Sequence, residues 1–149
     1  MTVADAWMSA KGKLHRGGIE NPSLEAEILI RRALNIERSQ FYAMLKDTLQ
    51  GIETKALDSM LQRRLNGEPL SHITEAREFY GLELYVNSDV LVPRQETELL
   101  IDTVLAITKC GSGRQLALAD VGTGSGAIAV AIGHHLPHAI IYAIDLSRK

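Results

Sequence analysis

Ala117-Leu118-Ala119-Asp120-Val121-Gly122-Thr123-Gly124-Ser125-Gly126-Ala127-Ile128-Ala129-Val130 reads as a strand, a tight turn and a helix. A short apolar run ends in a carboxylate, three glycines alternate, and an alanine-rich amphipathic pattern follows. Glycines in such a turn permit dihedrals a side chain would forbid and let backbone N–H groups approach a ligand closely. A second apolar run, Ala139-Ile140-Ile141-Tyr142-Ala143-Ile144, ends at Asp145. In an open α/β sheet the ends of adjacent strands line one ligand crevice, where an acidic side chain can accept from ribose hydroxyls. The pattern predicts a nucleoside-bearing cofactor held between residues 122–126 and Asp145.

The same glycines leave alternatives open. Gly122, Gly124 and Ala127 satisfy a relaxed dinucleotide fingerprint, and Asp145 follows Gly122 by 23 residues, near the offset expected for that motif. Composition does not separate NAD from S-adenosylmethionine. Asp120 tilts the reading towards the latter, because a carboxylate at the strand tip suits a cationic amino-acid moiety and offers a pyrophosphate nothing. A purely structural turn is the third reading. No Gly-Lys-Ser/Thr follows the glycines, which excludes a P-loop. Asp145 could equally cap the next helix, and Asp120 could be satisfied by the turn's own N–H groups.

Outward from this motif, the 149 residues suffice for one ordinary domain or two small ones. With 16 basic and 18 acidic residues the chain is nearly neutral, which argues against a broad nucleic-acid surface while leaving room for a local patch. A single cysteine, Cys110, excludes an intramolecular disulfide and points to a reducing, cytoplasmic setting. No apolar run approaches the roughly 18 residues of a membrane span, and no signal-peptide core opens the chain, so the expectation is a soluble protein without membrane contact. His134, His135 and His138 beside Pro137 read as solvated histidines near a helix end, and no metal site is expected. Two parallel strands before Lys149 cannot bury both faces of a sheet, so the sequence predicts a fragment of a larger domain.

The N-terminal half reads as helices. Val3, Trp7, Ala10 and Leu14 form an apolar stripe ended by Gly17-Gly18. Asn21-Pro22 opens a second helix with Leu24, Ile28, Leu29 and Ala33 expected inside, and Ser39 is expected to cap a third carrying Phe41, Met44 and Leu45. A fourth helix follows Gly51, with Ile52, Ala56, Met60, Leu61 and Leu65 inward, and ends at Gly67 before Pro69. Ile73 to Tyr80 and Leu82 to Val92 then suggest a hairpin around Gly81. Pro93 to Glu98 leads into a helix expected to bury Leu99, Leu100, Thr103, Val104 and Ile107, closed by Gly111-Ser112-Gly113. The expected class is α+β, with a helical bundle over 1–68, a linking β-hairpin over 69–94, and the beginning of a Rossmann-like α/β domain over 95–149. Cys110 reads as inert, His72 as polar lining or surface, and Trp7 and Phe41 as bundle core.

Four pieces in order carry a resemblance: the helical domain; Arg63-Arg64-Leu65-Asn66-Gly67-Glu68-Pro69-Leu70-Ser71-His72-Ile73-Thr74; Arg77-Glu78-Phe79-Tyr80-Gly81 with Leu91-Val92-Pro93-Arg94-Gln95-Glu96-Thr97-Glu98; and the glycine turn with Ala143-Ile144-Asp145-Leu146-Ser147. Together they resemble the HemK family of protein glutamine methyltransferases, in particular those acting on peptide chain release factors. The resemblance implies methyl transfer from S-adenosylmethionine to the side-chain amide of glutamine in a Gly-Gly-Gln motif. It implies a cofactor site of Asp120, Gly122, Thr123, Gly124, Gly126 and Asp145, a pocket loop of Arg94, Thr97 and Glu98, release factors as partners, and a monomer. Two positions depart from it: Glu75 stands where the family usually has glycine, and Gln95 where it usually has proline. The family's Asn-Pro-Pro-Tyr motif is expected beyond Lys149, which leaves the catalytic residues unassigned and this stretch expected to be inactive alone. The alternatives are methylation of a ribosomal protein and a non-catalytic release-factor-binding module. Adenine methyltransferases fit less well without a basic groove.

Overall fold

A computed structural model describes residues 1–109 and 116–147. The chain divides into two compact units, Met1–Thr74 and Glu75–Lys149. Cys110 and the turn expected at Gly111-Ser112-Gly113 lie outside the described residues.

The first unit contains α1 (Val3–Arg16), α2 (Pro22–Leu34), α3 (Arg38–Ala43), α4 (Gly51–Leu65) and α5 (Leu70–Thr74). Thr2 starts α1 through a reciprocal cap: Asp5 N–H donates to Thr2 Oγ1 at 3.1 Å and Thr2 N–H to Asp5 Oδ2 at 3.0 Å. This bonding, chiefly to the Thr2 backbone N–H, holds the Asp5 carboxyl below its ordinary value. Val3, Ala6, Ala10 and Leu14 form the buried stripe and meet Leu29, Ile30, Phe41, Leu57 and Leu61 in one core. Trp7 packs at its margin, edge-on to Phe41 with centroids 5.4 Å apart, because its indole N–H donates to Ser23 C=O.

In three places the helices differ from the sequence expectation. On α2 the buried residues are Ala26, Glu27, Leu29 and Ile30, while Leu24 is 49% exposed. The stripe is rotated because Glu27 can be buried: Tyr42 Oη donates to its Oε2 at 2.9 Å and Arg38 Nε lies 3.0 Å from Oε1. Helix α3 begins before Ser39, where Glu37 N–H donates to the Gln40 side chain at 2.8 Å. On α4 Leu57 and Leu61 are inside and Ile52 is exposed. At the end of α1, a Cβ at Gly17 would lie 2.5 Å from Leu65 Cδ2, the tip of a side chain that would have to turn aside.

The second unit begins with a hairpin, β1 (Ala76–Phe79) antiparallel to β2 (Leu82–Tyr85). It is shorter than the sequence suggested. Leu70–Thr74 forms α5 instead of strand, since the Pro69 carbonyl accepts from the N–H groups of His72 and Ile73 and starts a new helical turn. A 3-10 turn (Gln95–Thr97) leads into α6 (Glu98–Lys109), then β3 (Ala117–Val121), α7 (Ala127–His135) and β4 (Ile140–Ile144). Among the described side chains of α6, Ile101 is fully buried, and Leu99, Leu100 and Ile107 are exposed, contrary to the face expected for them. Phe79, Leu84, Ile101, Ala127, Ala131 and Ile132 make the second core, with Leu118 and Ile141 packed against it. β3 and β4 are parallel and joined through α7, pairing Ala117 with Ile140 and Val121 with Ile144. In chain order, a helical bundle, a hairpin and a β-α-β unit make up the α+β arrangement expected, with the opening elements of an α/β domain.

Candidate cofactor-binding site

β3 delivers Asp120 and Val121 to the sheet end, and the chain reverses through residues 122–126 into α7. Gly122, Gly124 and Gly126 have φ of 79°, 54° and 76°. L-residues other than glycine pay about 1–2 kcal/mol for such a conformation, so the alternating glycines follow from the path of the backbone. A Cβ added at Gly122 or Gly124 would meet nothing within 4 Å. Space, as well as dihedral freedom, is therefore kept above these two residues.

The turn is tied to the end of β4. Gly122 and Thr123 N–H both donate to Ile144 C=O, at 2.7 and 3.0 Å, and Gly126 N–H donates to Thr123 C=O at 2.9 Å. Asp145 adds a side-chain tie: Gly124 N–H donates to Oδ2 at 2.8 Å, and Ser147 N–H to Oδ1 at 2.9 Å. These bonds, Ser147 first and Gly124 next, hold the Asp145 carboxyl below its usual value. Thr123 Oγ1 donates to Asp120 Oδ2 at 2.7 Å. The structure thus brings Asp120, Gly122, Thr123, Gly124 and Asp145 together; Asp120 is met by the Thr123 hydroxyl rather than by the turn's N–H groups, and Asp145 ties the glycine turn to the end of β4, with no helix described after it to cap.

Those bonds leave capacity for a ligand. A carboxylate has about four acceptor positions, and Asp145 is exposed, with the Gly124 N–H on Oδ2 and the Ser147 N–H on Oδ1. Asp120 has only one oxygen engaged by Thr123. Open space beside Gly122 and Gly124, bounded by two carboxylates, suits a ligand with hydroxyl donors and a cationic group. The residues present therefore fit a nucleoside cofactor with an ammonium-bearing arm. Much of the turn's N–H complement is spent internally, which fits a pyrophosphate less well.

The loop residues are placed differently. Arg94 is exposed and starts the 3-10 turn, its carbonyl accepting from Thr97 N–H at 3.1 Å. Glu98 is half-buried, and its Oε1 accepts from Tyr80 N–H at 3.0 Å. Among the described residues, no hydrogen bond or ion pair joins Arg94, Thr97 or Glu98 to the glycine turn. The Ile144 carbonyl, central to the geometry, escaped the sequence reading because a backbone acceptor leaves no mark in residue identity. His134, His135 and His138 are exposed, and among the described residues no three His, Cys, Asp or Glu side chains are gathered for a metal ion. No described helix is long and apolar enough to cross a membrane.

Residues 5–74 match the family model described as the PrmC N-terminal domain. The chain is 39% identical over 148 residues to a release factor glutamine methyltransferase of Moorella thermoacetica, covering 99% of this chain and 51% of the relative. It is 40% identical over 129 residues to the protein of that name from Coxiella burnetii, covering 87% and 46%. A bifunctional methyltransferase of Rickettsia typhi is 35% identical over 155 residues, covering 93% and 30%. The chain thus spans about half the length of the curated release factor methyltransferases it matches.

Proposed function

We propose, for a chain that matches the release factor glutamine methyltransferase family through its N-terminal domain and through relatives aligned over most of its length, that it belongs to an enzyme methylating a release factor glutamine with S-adenosylmethionine. The observation that carries the cofactor part is the glycine turn of positive φ, open above Gly122 and Gly124 and bounded by Asp120 and Asp145. S-adenosylmethionine supplies an electrophilic methyl group. Asp145 would accept from the ribose hydroxyls, Asp120 would face the cationic methionine portion directly or through water, and Gly122, Thr123, Gly124 and Gly126 would admit the cofactor to the backbone. Arg94, Thr97 and Glu98 belong to the loop proposed to flank this pocket.

The acceptor is the amide nitrogen of glutamine in the Gly-Gly-Gln motif. Its lone pair is delocalised into the carbonyl, so reaction needs orientation and an acceptor for its N–H groups rather than a strong base. The bundle of residues 1–68 and the hairpin region 69–94 would bind the release factor, and contacts remote from the reacting atoms would then select one glutamine among many. A binding module without transfer is the second reading, favoured by the bundle's own buried core.

Labelled methyl transfer to a purified release factor by the whole enzyme to which this chain is proposed to belong tests the proposal, with the Gly-Gly-Gln glutamine replaced by alanine in a control. Label on the glutamine amide that disappears in the control is expected. Stable binding with no label would favour the module, and label on a ribosomal protein instead would redirect the substrate.

A further inference from the structure

The hairpin tip holds a cluster of polar and aromatic groups that the cofactor reading leaves unused. Phe79 pairs with Leu82, so Tyr80 and Gly81 form a two-residue turn, and both have positive φ, 52° and 74°. Turns of this kind favour asparagine or glycine, and a bulky aromatic at the first position is strained. Tyr80 is held there from three directions. Its N–H donates to Glu98 Oε1 at 3.0 Å, its hydroxyl donates to Asp102 Oδ1 at 2.6 Å, and its ring meets His135 edge-on with centroids 5.0 Å apart. Glu98 and Asp102 are four residues apart on α6 and so share the face that meets the hairpin. Glu98 also directly follows the 3-10 turn Gln95–Thr97, so its anchorage restrains that turn.

We propose that Glu98 is a positioning residue: by gripping the Tyr80 amide it fixes the start of α6 to the hairpin tip and so sets where Arg94 and Thr97 stand, without itself contacting cofactor. The proposal rests on the cofactor reading for its functional consequence, and on the Tyr80 cluster for its geometry. The two roles have different chemical requirements. A ligand to the cationic arm needs the carboxylate charge, whereas a grip on an N–H needs only an acceptor oxygen, which glutamine keeps.

The test compares Glu98→Gln and Glu98→Ala with the parent 149-residue chain, reading amide exchange at Tyr80 and Thr97 and titrating S-adenosylmethionine. Glu98→Ala is expected to speed exchange at both amides and to weaken cofactor binding, each about tenfold, as loss of one charge-assisted hydrogen bond implies, with helical circular dichroism unchanged. Glu98→Gln is expected to return both to within about threefold of the parent. Unchanged exchange in Glu98→Ala would overturn the grip. A Glu98→Gln chain that protects both amides yet binds cofactor as poorly as Glu98→Ala would make Glu98 a ligand and overturn the positioning role. A parent chain that binds no cofactor would instead sink the cofactor reading, and the exchange at Tyr80 and Thr97 then decides the grip by itself.

Discussion

Glu75 and Gln95, where the resemblance leads one to expect glycine and proline, have opposite physical meanings. Glu75 joins α5 to β1 with φ of 56°, and its carbonyl accepts from Val86 N–H at the hairpin base. A glutamate in this region is strained, so Glu75→Gly is expected to raise stability by up to about 1 kcal/mol, less the extra entropy of a glycine in the unfolded chain. Denaturant unfolding measures this, and a loss of stability would show that the Glu75 side chain contributes more than its strain costs. Gln95 opens the 3-10 turn, and Arg94 before it is already extended, with φ of −93° and ψ of 147°, the conformation a following proline demands. Gln95→Pro is therefore expected to stabilise by about 0.4–1 kcal/mol, again by denaturant unfolding. Asp145 gives a pH signature. Its carboxyl lies below the ordinary value because Ser147 and Gly124 N–H groups bond the charged form, so this tie is intact above the unfolded pKa of about 3.9 and is lost as pH falls through the lower folded value. Exchange at the Gly124 amide, corrected for its intrinsic pH dependence, should lose its protection in that acid window, and Asp145→Asn should remove the pH dependence. Residue identity made Gly122, Gly124, Gly126 and Asp145 legible in the sequence because glycine and a strand-end carboxylate announce their physical task. The strain at Glu75 and Tyr80 was not legible, because neither residue type signals a left-handed backbone.

At the scale of elements, the bundle depends on a pair that no apolar pattern reports. Arg64 on α4 donates from Nε to Glu25 Oε2 at 2.6 Å and from the guanidinium to Oε1 at 3.1 Å, tying α4 to α2. Both side chains are less than a fifth exposed, and the Glu25 hydrogen bond holds the Arg64 guanidinium above its usual value. A fork-to-fork bond of this kind requires two parallel donors, so Arg64→Lys is expected to lose about 1–2 kcal/mol, and Arg64→Ala no less than that, in thermal unfolding. Equal stability of Arg64→Lys and the parent would make the pair electrostatic and screened. The element types were readable from periodicity for α1, α2, α4, β3, α7 and β4. The buried faces of α2 and α6 were not, because each carries more apolar residues than one stripe holds, and partners such as Arg38, Tyr42 and the hairpin decide which stripe turns inward. Helix α5 was hidden because a proline that ends one helix can also begin the next.

At the scale of the whole molecule, the described residues form two cores in two units, and the single tryptophan, Trp7, belongs to the first. Leu14 is fully buried in that core, so Leu14→Ala is expected to cost about 2–5 kcal/mol in an unfolding transition followed by Trp7 fluorescence. The glycine turn draws its supports from the second unit, through Ile144, Asp145 and Ser147. Whether this turn accepts S-adenosylmethionine is read by calorimetric titration of the 149-residue chain, with Asp145→Ala as control and circular dichroism to verify folding of both. Saturable binding by the parent chain, lost in the folded control, is the predicted result. A folded parent chain that ignores S-adenosylmethionine, or that binds NAD in its place, would contradict it.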